Sequence, residues 1–360
     1  MHLAKIKLRD FRNYRRLDIA LEPGFQLLLG KNAQGKTNLL EAIYLLATLR
    51  SFRGVGAAQM IRQGQKGFFV AGEVTGVHSD LLQYYWSAQE RKLTLNQNPV
   101  KRLAEFFGTL RAVVFCTEDL QIIKGSPRIR RRFMDLLLSQ TDHAYLGTLQ
   151  RYAKVLRSRN AVLKQHRPDQ QVMEAFTREL VSYGERLIKA RQQFIPRIFP
   201  LVRHAYKRIS SGAEELTMHY KTTVPKDFFG ALLKHRDREQ QYRSTLIGPH
   251  RDELQFALNE QPVAQFGSEG QKRTLAIALK MAQAEYLTDV TGIPPVLLID
   301  DVMGELDENR RRGLLPLLER SHHGSGQVFM TCTEENWPRE LGRNLKRWHV
   351  SDGGIQGSNK

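Results

Sequence analysis

One stretch of the sequence fits the phosphate-binding pattern G-x-x-x-x-G-K-[ST] in full: Gly30-Lys31-Asn32-Ala33-Gln34-Gly35-Lys36-Thr37. The two glycines let the backbone fold into a nest whose N–H groups face phosphate oxygens. Lys36 can reach the β- and γ-phosphates of a nucleotide, and the hydroxyl of Thr37 is placed to bind Mg²⁺. Every residue of the stretch is therefore predicted to bind nucleotide, Lys36 with a catalytic role and Thr37 as a metal ligand.

A second stretch places two carboxylates after a short apolar run: Val296-Leu297-Leu298-Ile299-Asp300-Asp301. Such a run is typical of a central parallel strand that is buried on both faces. The strand would deliver Asp300 to its carboxyl end, where the carboxylate can hold Mg²⁺ from the side opposite Thr37. Asp301 follows and is placed to polarise an attacking water, so it is predicted to be catalytic. An Asp pair that only caps a turn is the alternative.

A third stretch runs into a segment rich in Leu and Ala: Phe266-Gly267-Ser268-Glu269-Gly270-Gln271-Lys272-Arg273. Ser268 suits the N-cap of a helix, and a helix N-terminus preceded by small residues attracts anions. Ser268, Gly270 and Gln271 are therefore candidate nucleotide contacts. Taken alone, the stretch is equally consistent with a capped helix that has no ligand.

The elements that must position these stretches follow from the hydrophobic pattern. Phe25–Leu29 form a short apolar run that ends at Gly30, and apolar residues recur at helical spacing after Thr37. The phosphate loop is therefore expected to join a strand to a helix. The tail after Asp352 looks frayed. Further strands are predicted at residues 68–76, 81–95, 112–115 and 327–331.

Strand signals vanish between about residues 125 and 210, where apolar residues recur at steps of three and four. The break at Arg167-Pro168-Asp169 predicts an antiparallel pair of helices rather than a long coiled coil. Pro196 and Pro200 are expected to kink or end the second helix. An α/β pattern returns from about Thr245. The chain is therefore predicted to be an α/β protein whose core is split in sequence by an inserted, mostly helical domain.

The charge of the chain indicates a polyanionic partner. Lys+Arg number 55 against 37 Asp+Glu, which gives a net charge of +18 and a pI of about 10.0. Residues 151–210 hold 14 Lys/Arg and 4 Asp/Glu, a net of +10. A helical face that is merely solvated is the alternative, but so large an excess of one sign favours contacts with nucleic-acid phosphates. The candidate contacts include Arg151, Lys154, Arg157 and Arg159.

The order of the three stretches resembles the ABC-ATPase superfamily: a Walker A loop, an S-x-G-Q signature, a Walker B strand and then a D-loop at Gly304-Glu305-Leu306-Asp307. The N-terminal Leu8-Arg9-Asp10-Phe11-Arg12-Asn13-Tyr14 narrows the resemblance to the heads of SMC-like DNA-repair proteins. Three further stretches are similar to the RecF family: Gly248-Pro249-His250-Arg251-Asp252, Phe115-Cys116-Thr117-Glu118-Asp119-Leu120 and Arg131-Arg132-Phe133. The resemblance covers essentially the whole chain.

This resemblance implies an α/β fold, an ABC-ATPase (P-loop NTPase) head with an inserted helical arm. Residues 1–124 would form the N-terminal part of the ATPase domain, 125–240 the arm, and 241–360 the C-terminal part with signature, Walker B and D-loop. In the superfamily, the signature of one subunit closes over nucleotide held by the other. An ATP-dependent homodimer is therefore expected, with ATP and Mg²⁺ as cofactors.

By the same resemblance, the chain would bind DNA, either duplex or single-strand/double-strand junctions, in recombinational repair and replication restart. It would help to load recombinase at single-strand gaps, with RecR, RecO and RecA as partners. The resemblance implies DNA-stimulated ATP hydrolysis, which is expected to be slow because three positions depart from common ABC patterns. Position 269 is Glu where transporter ATPases usually carry Gly, Asp301 stands where many ABC enzymes have Glu, and Thr331-Cys332-Thr333 lacks the usual switch histidine.

Several alternative functions stay open on the sequence. The chain could be the ATPase head of another SMC-like complex, or a scaffold in which nucleotide is purely structural. A transporter's ATPase subunit is disfavoured by the basic helical region and by the RecF-like stretches. A nuclease head is disfavoured because only 53 residues follow Asp307, too few for a further catalytic domain.

The remaining features concern the cellular compartment of the protein. Cys116 and Cys332 each lie in an apolar run, so both are expected to be reduced core residues. The N-terminus lacks the apolar core of a signal peptide, and no apolar run approaches the ~18 residues that span a bilayer. The sequence therefore predicts a soluble, cytoplasmic protein with no membrane partner.

Overall fold

The computed structural model describes residues 1–76, 78–210, 214–322, 326–333 and 345–358. Within these residues the strands form three sheets. In chain order the strands are β1 (His2–Phe11), β2 (Tyr14–Ala20), β3 (Gly24–Leu29), β4 (Gly67–Thr75), β5 (Ser79–Ser87), β6 (Arg91–Leu95), β7 (Asn98–Pro99), β8 (Ala112–Phe115), β9 (Leu216–Lys221), β10 (Glu253–Leu258), β11 (Gln261–Pro262), β12 (Val296–Ile299), β13 (Gln327–Cys332), β14 (Leu345–Ser351) and β15 (Gly354–Ser358).

In the middle of the chain, from α3 to α6, the helices follow one another with no strand between them. None of the described helices combines the length and the apolar composition that a bilayer crossing requires. In chain order the helices are α1 (Lys36–Thr48), α2 (Leu103–Phe106), α3 (Gln121–Lys124), α4 (Pro127–Thr141), α5 (His143–Leu163), α6 (Gln170–Ile209), α7 (Phe228–Lys234), α8 (Arg236–Tyr242), α9 (Val263–Phe266), α10 (Glu269–Thr291), α11 (Val302–Glu305) and α12 (Glu308–His322).

The chain divides into two units. The first comprises Met1–Leu120, His204–Ala213 and Arg273–Lys360, and the second Gln121–Arg203 and Glu214–Lys272. The second unit thus includes residues 241–272, which the sequence analysis placed in the C-terminal ATPase part. The reason is strand pairing, because β10 pairs antiparallel with β9 along six residues. Helical periodicity in the preceding segment gave no sign of β9.

A mostly parallel sheet in the first unit has the strand order β15-β14-β3-β13-β12-β8. Its strands β14, β3, β13, β12 and β8 are parallel, so their carboxyl ends meet at one edge of the sheet. Every residue of β12 and β13 is buried, as the apolar runs predicted for central strands covered on both faces. The loop after β3 and the aspartates after β12 therefore lie at the same edge, with the end of β13 between them.

The second sheet of this unit is antiparallel, in the order β2-β1-β4-β5-β6-β7. In β1, Leu3, Ile6 and Leu8 are at most 2% exposed, while Lys5 and Lys7 between them are partly exposed. This alternation gives the sheet one apolar face, as a half-buried strand requires. The sheet matters for the site because the turn from β1 to β2 carries Arg12 and Asn13.

The helical part of the second unit contains an antiparallel pair, as the break at residues 167–169 predicted. Successive residues of α5 contact α6 in the reverse order: Arg159 donates to Thr177, Tyr152 lies against Gly184, and Tyr145 accepts from Arg191. The helices therefore run in opposite directions along their length.

Of the two expectations for Pro196 and Pro200, a kink or an end of the second helix, the end is wrong, since α6 continues to Ile209. A proline inside a helix costs ~3 kcal/mol. Phe194, Ile198 and Val202 flank the two prolines and are at most 2% exposed. Burying each such side chain contributes about 1.5–3 kcal/mol, so packing of this helix face offsets the cost of the prolines.

Two basic residues of the helical region are buried. Arg159 is 2% exposed and lies 2.7 Å from the carboxylate of Glu239, which is fully buried. Arg191 is equally buried and lies 2.8 Å from Asp135. The prediction that Arg159 contacts DNA is therefore wrong, because its charge is already neutralised inside the unit by a carboxylate 80 residues further along the chain.

Candidate functional site

The phosphate loop begins where β3 ends, and two of its positions accept only glycine. Gly30 has φ 150°, and a Cβ there would overlap the carbonyl oxygen of Val350 in β14. Gly35 has φ 119°, and a Cβ there would lie 2.8 Å from Nδ2 of Asn13. Both the dihedral angles and the close neighbours thus exclude a side chain at these two positions.

Lys36 is the first residue of α1, and its side chain folds over the loop. The ammonium Nζ donates to the carbonyl oxygens of Gly30 at 2.5 Å and of Lys31 at 3.0 Å. Only 5% of the residue is exposed. The charge is therefore held inside the loop, while contact of Lys36 with nucleotide phosphates stays a prediction.

Residues outside the loop brace its backbone, and the motif alone gave no sign of them. Nδ2 of Asn13 donates to the carbonyl oxygen of Gln34 at 2.8 Å, and the hydroxyl of the buried Tyr14 donates to that of Gly35 at 3.0 Å. The backbone N–H of Gly353, in the turn from β14 to β15, also donates to Gln34. Asn13 and Tyr14 belong to the N-terminal stretch that carried the family resemblance, which is the signal that could have identified them.

Thr37 and Asp300 face each other across the sheet edge. The hydroxyl of Thr37 donates to Oδ1 of Asp300 at 2.8 Å, although 263 positions separate the two residues in sequence. Burial raises the pKa of Asp300 to about 6, and the neighbouring carboxylate of Asp301 adds to the rise, while the hydrogen bond from Thr37 opposes it. A cation between the two oxygens would stabilise the charged form of this carboxylate.

The donor set fits Mg²⁺. One hydroxyl and one carboxylate oxygen are hard ligands, and Mg²⁺ is usually held by one or two carboxylates together with phosphate oxygens and waters. Among the described residues, no three His, Cys, Asp or Glu side chains cluster into a metal cage. Thr37 and Asp300 would therefore hold Mg²⁺ only in company with nucleotide phosphates.

Asp301 lies at the same edge but in a different environment. It is exposed, has φ 52° and precedes α11. Its backbone N–H donates to the hydroxyl of Thr331 at 2.9 Å. The exposed carboxylate of Asp301 is suited to accept a proton from water, while the half-buried carboxylate of Asp300 is suited to serve as a ligand.

An open groove adjoins the phosphate loop and holds about 600 Å³. Its charged lining residues are all basic, and the rest are amides and one isoleucine. Arg12 is fixed there by two hydrogen bonds to the fully buried Glu41, at 2.7 and 2.8 Å. Such a groove suits the polar remainder of a nucleotide whose phosphates occupy the loop. Its lining residues are Arg12, Asn13, Asn38, Arg53, Gln59, Ile61, Arg62 and Gln63.

The signature stretch belongs to the second unit, where it begins α10. The backbone N–H of Gln271 donates to the hydroxyl of Ser268 at 3.2 Å, and Oε1 of Gln271 accepts from the N–H of Ser268 at 2.6 Å. Ser268 thus caps the helix, as the sequence predicted, and the reciprocal bond of Gln271 completes a capping box. Ser268 is exposed, and Phe266 before it is 66% exposed. The start of α10 is therefore capped by hydrogen bonds and accessible to solvent.

The D-loop begins in α11 and leads into α12. Oδ1 of Asp307 accepts from the backbone N–H of Arg310 at 2.9 Å and so caps α12. The side chain of Glu305 lies outside the described residues.

The stretch Gly248–Asp252, singled out by resemblance, belongs to the second unit and is buried at Gly248, Pro249 and Asp252. Arg191 donates to the carbonyl oxygen of Pro249 at 2.7 Å, and the hydroxyl of Tyr152 lies 2.6 Å from Nδ1 of His250. Burial lowers the pKa of His250 to about 4. These contacts assign the stretch a role in holding the helices together.

Comparisons with known proteins agree with this geometry. A family model described as the RecF/RecN/SMC N terminal domain matches residues 2–355. The DNA replication and repair protein RecF of Lactococcus lactis subsp. cremoris is 38% identical over 359 residues, 99% of each chain. The protein of that name from Bacillus cereus (strain G9842) is 35% identical over 99% of this chain and 98% of its own.

Solved structures give the same result. A structure described as the recombination mediator protein RecF with ATP in the RecFOR pathway has a TM-score of 0.90 and 31% identity, over 99% of this chain and 97% of that one. The Smc head domain of Pyrococcus furiosus, at a TM-score of 0.56 and 15% identity, shares the fold. The fold is therefore that of an ABC-type ATPase head, and the chain belongs to the RecF family.

Proposed function

We propose that this protein is an ATP-driven switch of recombinational DNA repair and replication restart, in which ATP closes a homodimer on DNA and hydrolysis reopens it. The observation that carries the proposal is the meeting of Thr37 and Asp300, at 2.8 Å, beside the loop that encloses Lys36. That arrangement is suited to MgATP. The ATP named in the descriptions of the similar RecF structures supports the same ligand.

Within this site each side chain would have a separate role. Lys36 would leave the carbonyls of Gly30 and Lys31 to contact the β- and γ-phosphates, while Thr37 and Asp300 would hold Mg²⁺, which neutralises developing charge on the phosphates. Asp301 would orient the attacking water and accept its proton. Ser268, Gly270 and Gln271, exposed or partly exposed at the start of α10, would complete the site of a second subunit.

Hydrolysis in this switch would be slow and DNA-stimulated. The carboxylate of Asp301 is one methylene shorter than the Glu common in ABC enzymes, and the sequence has no histidine directly after β13. Both departures weaken water activation, so the closed state would last long. The partners would be RecR, RecO and RecA, as family membership suggests.

Sedimentation tests the proposal directly. Without nucleotide the protein should sediment as a monomer, and with MgATP as a dimer whose population rises further when DNA is added. ADP should not replace ATP, because the switch requires the terminal phosphate. A sedimentation coefficient that does not respond to MgATP, while ATP binds, would contradict the proposed dimer.

The salt dependence of DNA binding can locate the DNA surface. Counterion release predicts that log affinity falls with log salt at about −0.9 per phosphate contacted. Arg151, Lys154 and Arg157 of α5 are exposed, unlike Arg159. We expect a triple substitution of these three residues to Glu to flatten the slope by about 2 to 3 and to lower affinity at low salt. The measurement is fluorescence anisotropy of labelled DNA across a salt series.

A second basic surface in the first unit provides the matched comparison. A groove of about 1230 Å³ is lined by six basic residues and by Asp10 and Asp18. A triple substitution to Glu at its exposed positions Arg15, Arg16 and Lys66 removes the same charge as the triple substitution in α5. If only this groove variant flattens the slope, DNA binds at the antiparallel sheet of the first unit, and the proposal that DNA binds at α5 is wrong. Loss of affinity at constant slope would indicate damage to dimerisation instead.

A further inference from the structure

Thr331 lies at the end of β13, between the two elements that carry the site. β13 pairs with β3 on one side and with β12 on the other. The register aligns Ile299 with Met330, so Thr331 stands beside Asp300. Thr331 is 1% exposed, in a strand whose other residues are all buried. A polar side chain at such a position needs hydrogen-bond partners, and these partners identify its role.

The Thr331 hydroxyl contacts both aspartates. Its oxygen accepts the backbone N–H of Asp301 at 2.9 Å. Its single hydrogen has two carboxylate acceptors within reach, Oδ1 of Asp300 at 3.1 Å and Oδ1 of Asp301 at 3.3 Å. A hydroxyl can donate to only one of them at a time. Rotation about one bond therefore moves the hydrogen from one carboxylate to the other.

The contact with the N–H of Asp301 also fixes a backbone conformation that needs support. Asp301 has φ 52° and ψ 8°, in the left-handed region that residues other than glycine rarely adopt. Strain of this kind persists only where neighbouring groups hold the residue in place. The hydrogen bond to the hydroxyl of Thr331 holds the backbone of Asp301 in this conformation. It thereby fixes the direction in which the Asp301 side chain leaves the backbone.

We propose that Thr331 is a positioning residue that couples the metal-binding carboxylate of Asp300 to the water-activating carboxylate of Asp301. This inference rests on the proposed function of both aspartates. In the structure, Oδ1 of Asp300 accepts from Thr37 and from Thr331. Once Thr37 and Asp300 turn these oxygens toward a cation, the hydrogen of Thr331 is released to Asp301. Asp301 then donates its backbone N–H to the Thr331 hydroxyl and accepts the hydroxyl hydrogen at its carboxylate, which holds it in the orientation that hydrolysis requires.

Substitution of Thr331 by Val and by Ser separates this role from simple packing. Thr331→Val keeps the shape of the side chain but removes the hydroxyl, while Thr331→Ser keeps the hydroxyl. We expect single-turnover hydrolysis of bound ATP to fall about 10-fold or more in the Val variant, with MgATP affinity within about 2-fold of wild type. The Ser variant should recover most of the rate. Thr288→Val is the matched control, since its hydroxyl donates to the carbonyl oxygen of Ala284 in its own helix.

The background of Asp301→Asn distinguishes the possible failures. If Thr331 acts through Asp301, adding Thr331→Val to Asp301→Asn should slow hydrolysis no further. A normal rate in Asp301→Asn itself would overturn the proposed role of Asp301. A strong defect in Asp301→Asn with a normal rate in Thr331→Val would overturn the inference alone.

A loss of stability in the Thr331 variants can be distinguished from a loss of positioning. If Thr331→Val does not fold, Thr331→Ala provides a second variant without the hydroxyl, and thermal unfolding reports on its structure. A folded hydroxyl-free variant that loses MgATP affinity and hydrolysis equally would show that the residue only packs, and so would a Ser variant as slow as Val. Either result overturns the positioning role.

Discussion

Replacing Asp301 by Asn is expected to leave MgATP bound but to lower its hydrolysis about 100-fold or more, the range typical of a lost general base. The amide has the size of the carboxylate, and the backbone N–H that donates to Thr331 is unchanged. What is lost is a group that can accept a proton from water. Because ATP stays in place, the closed dimer should accumulate, and single-turnover hydrolysis with sedimentation would measure both effects.

The neighbouring substitution Asp300→Asn should behave differently. The half-buried Asp300 faces Thr37 and not the solvent. An amide ligand in its place weakens Mg²⁺ binding, so MgATP affinity should fall about 10-fold, or ~1.4 kcal/mol, while binding measured with EDTA changes little. Asp289→Asn, at an exposed position in α10, is the control and should alter neither quantity. If the two site variants were alike in affinity and rate, the division between ligand and base would be wrong.

The parts of the site that the sequence predicted are those encoded by neighbouring residues. The phosphate loop needs positive φ at Gly30 and Gly35, and glycine marks such positions in the sequence itself. The apolar run that ends at Asp300 likewise encodes a buried strand with a carboxylate at its end. Local patterns of this kind survive in any tertiary context. The loop, the two central strands and the capped helix at Ser268 were predictable for this reason.

Strand order could not be predicted, because it is decided by pairing across the whole sheet. Nothing in the sequence places β13 between β3 and β12, so nothing distinguished Thr331 from other strand threonines. The prediction of a DNA contact at Arg159, which was based on the count of charged residues, was wrong for a similar reason. A count records its charge but not its partner Glu239, which a different segment supplies.

The prediction of a frayed tail was wrong for another reason. Residues Gly354–Ser358 form β15, paired with β14. Asp352 and Gly353 both have positive φ, at 46° and 71°, and Asp-Gly between two strands is a strong hairpin signal. Here the information was present in the sequence, but the segment was interpreted only as a frayed chain end.

The second large effect is expected at Ser268. If the signature of one subunit completes the site of the other, Ser268→Arg should leave ATP affinity of the monomer near normal. It should nevertheless abolish ATP-driven dimerisation, because added bulk and charge at this exposed helix start would block closure. Gln261→Arg, an exposed position in β11 of the same unit, controls for the added charge and should dimerise normally. Lys36→Met is expected to fail at the preceding step, because this variant should not bind ATP.

Mixing the Ser268→Arg chain with the Lys36→Met chain tests the shared site. Each homodimer has two broken interfaces. The heterodimer has one interface in which an intact phosphate loop faces an intact signature, and one in which both are broken. Partial dimerisation and single-site turnover should therefore return on mixing, although cooperation between the sites could hold turnover below half. A site contained within one chain cannot be rescued in this way. No recovery at any ratio, with both chains folded and the Ser268→Arg chain still binding ATP, would mean that the signature does not act on a partner's nucleotide or that both sites must fill together.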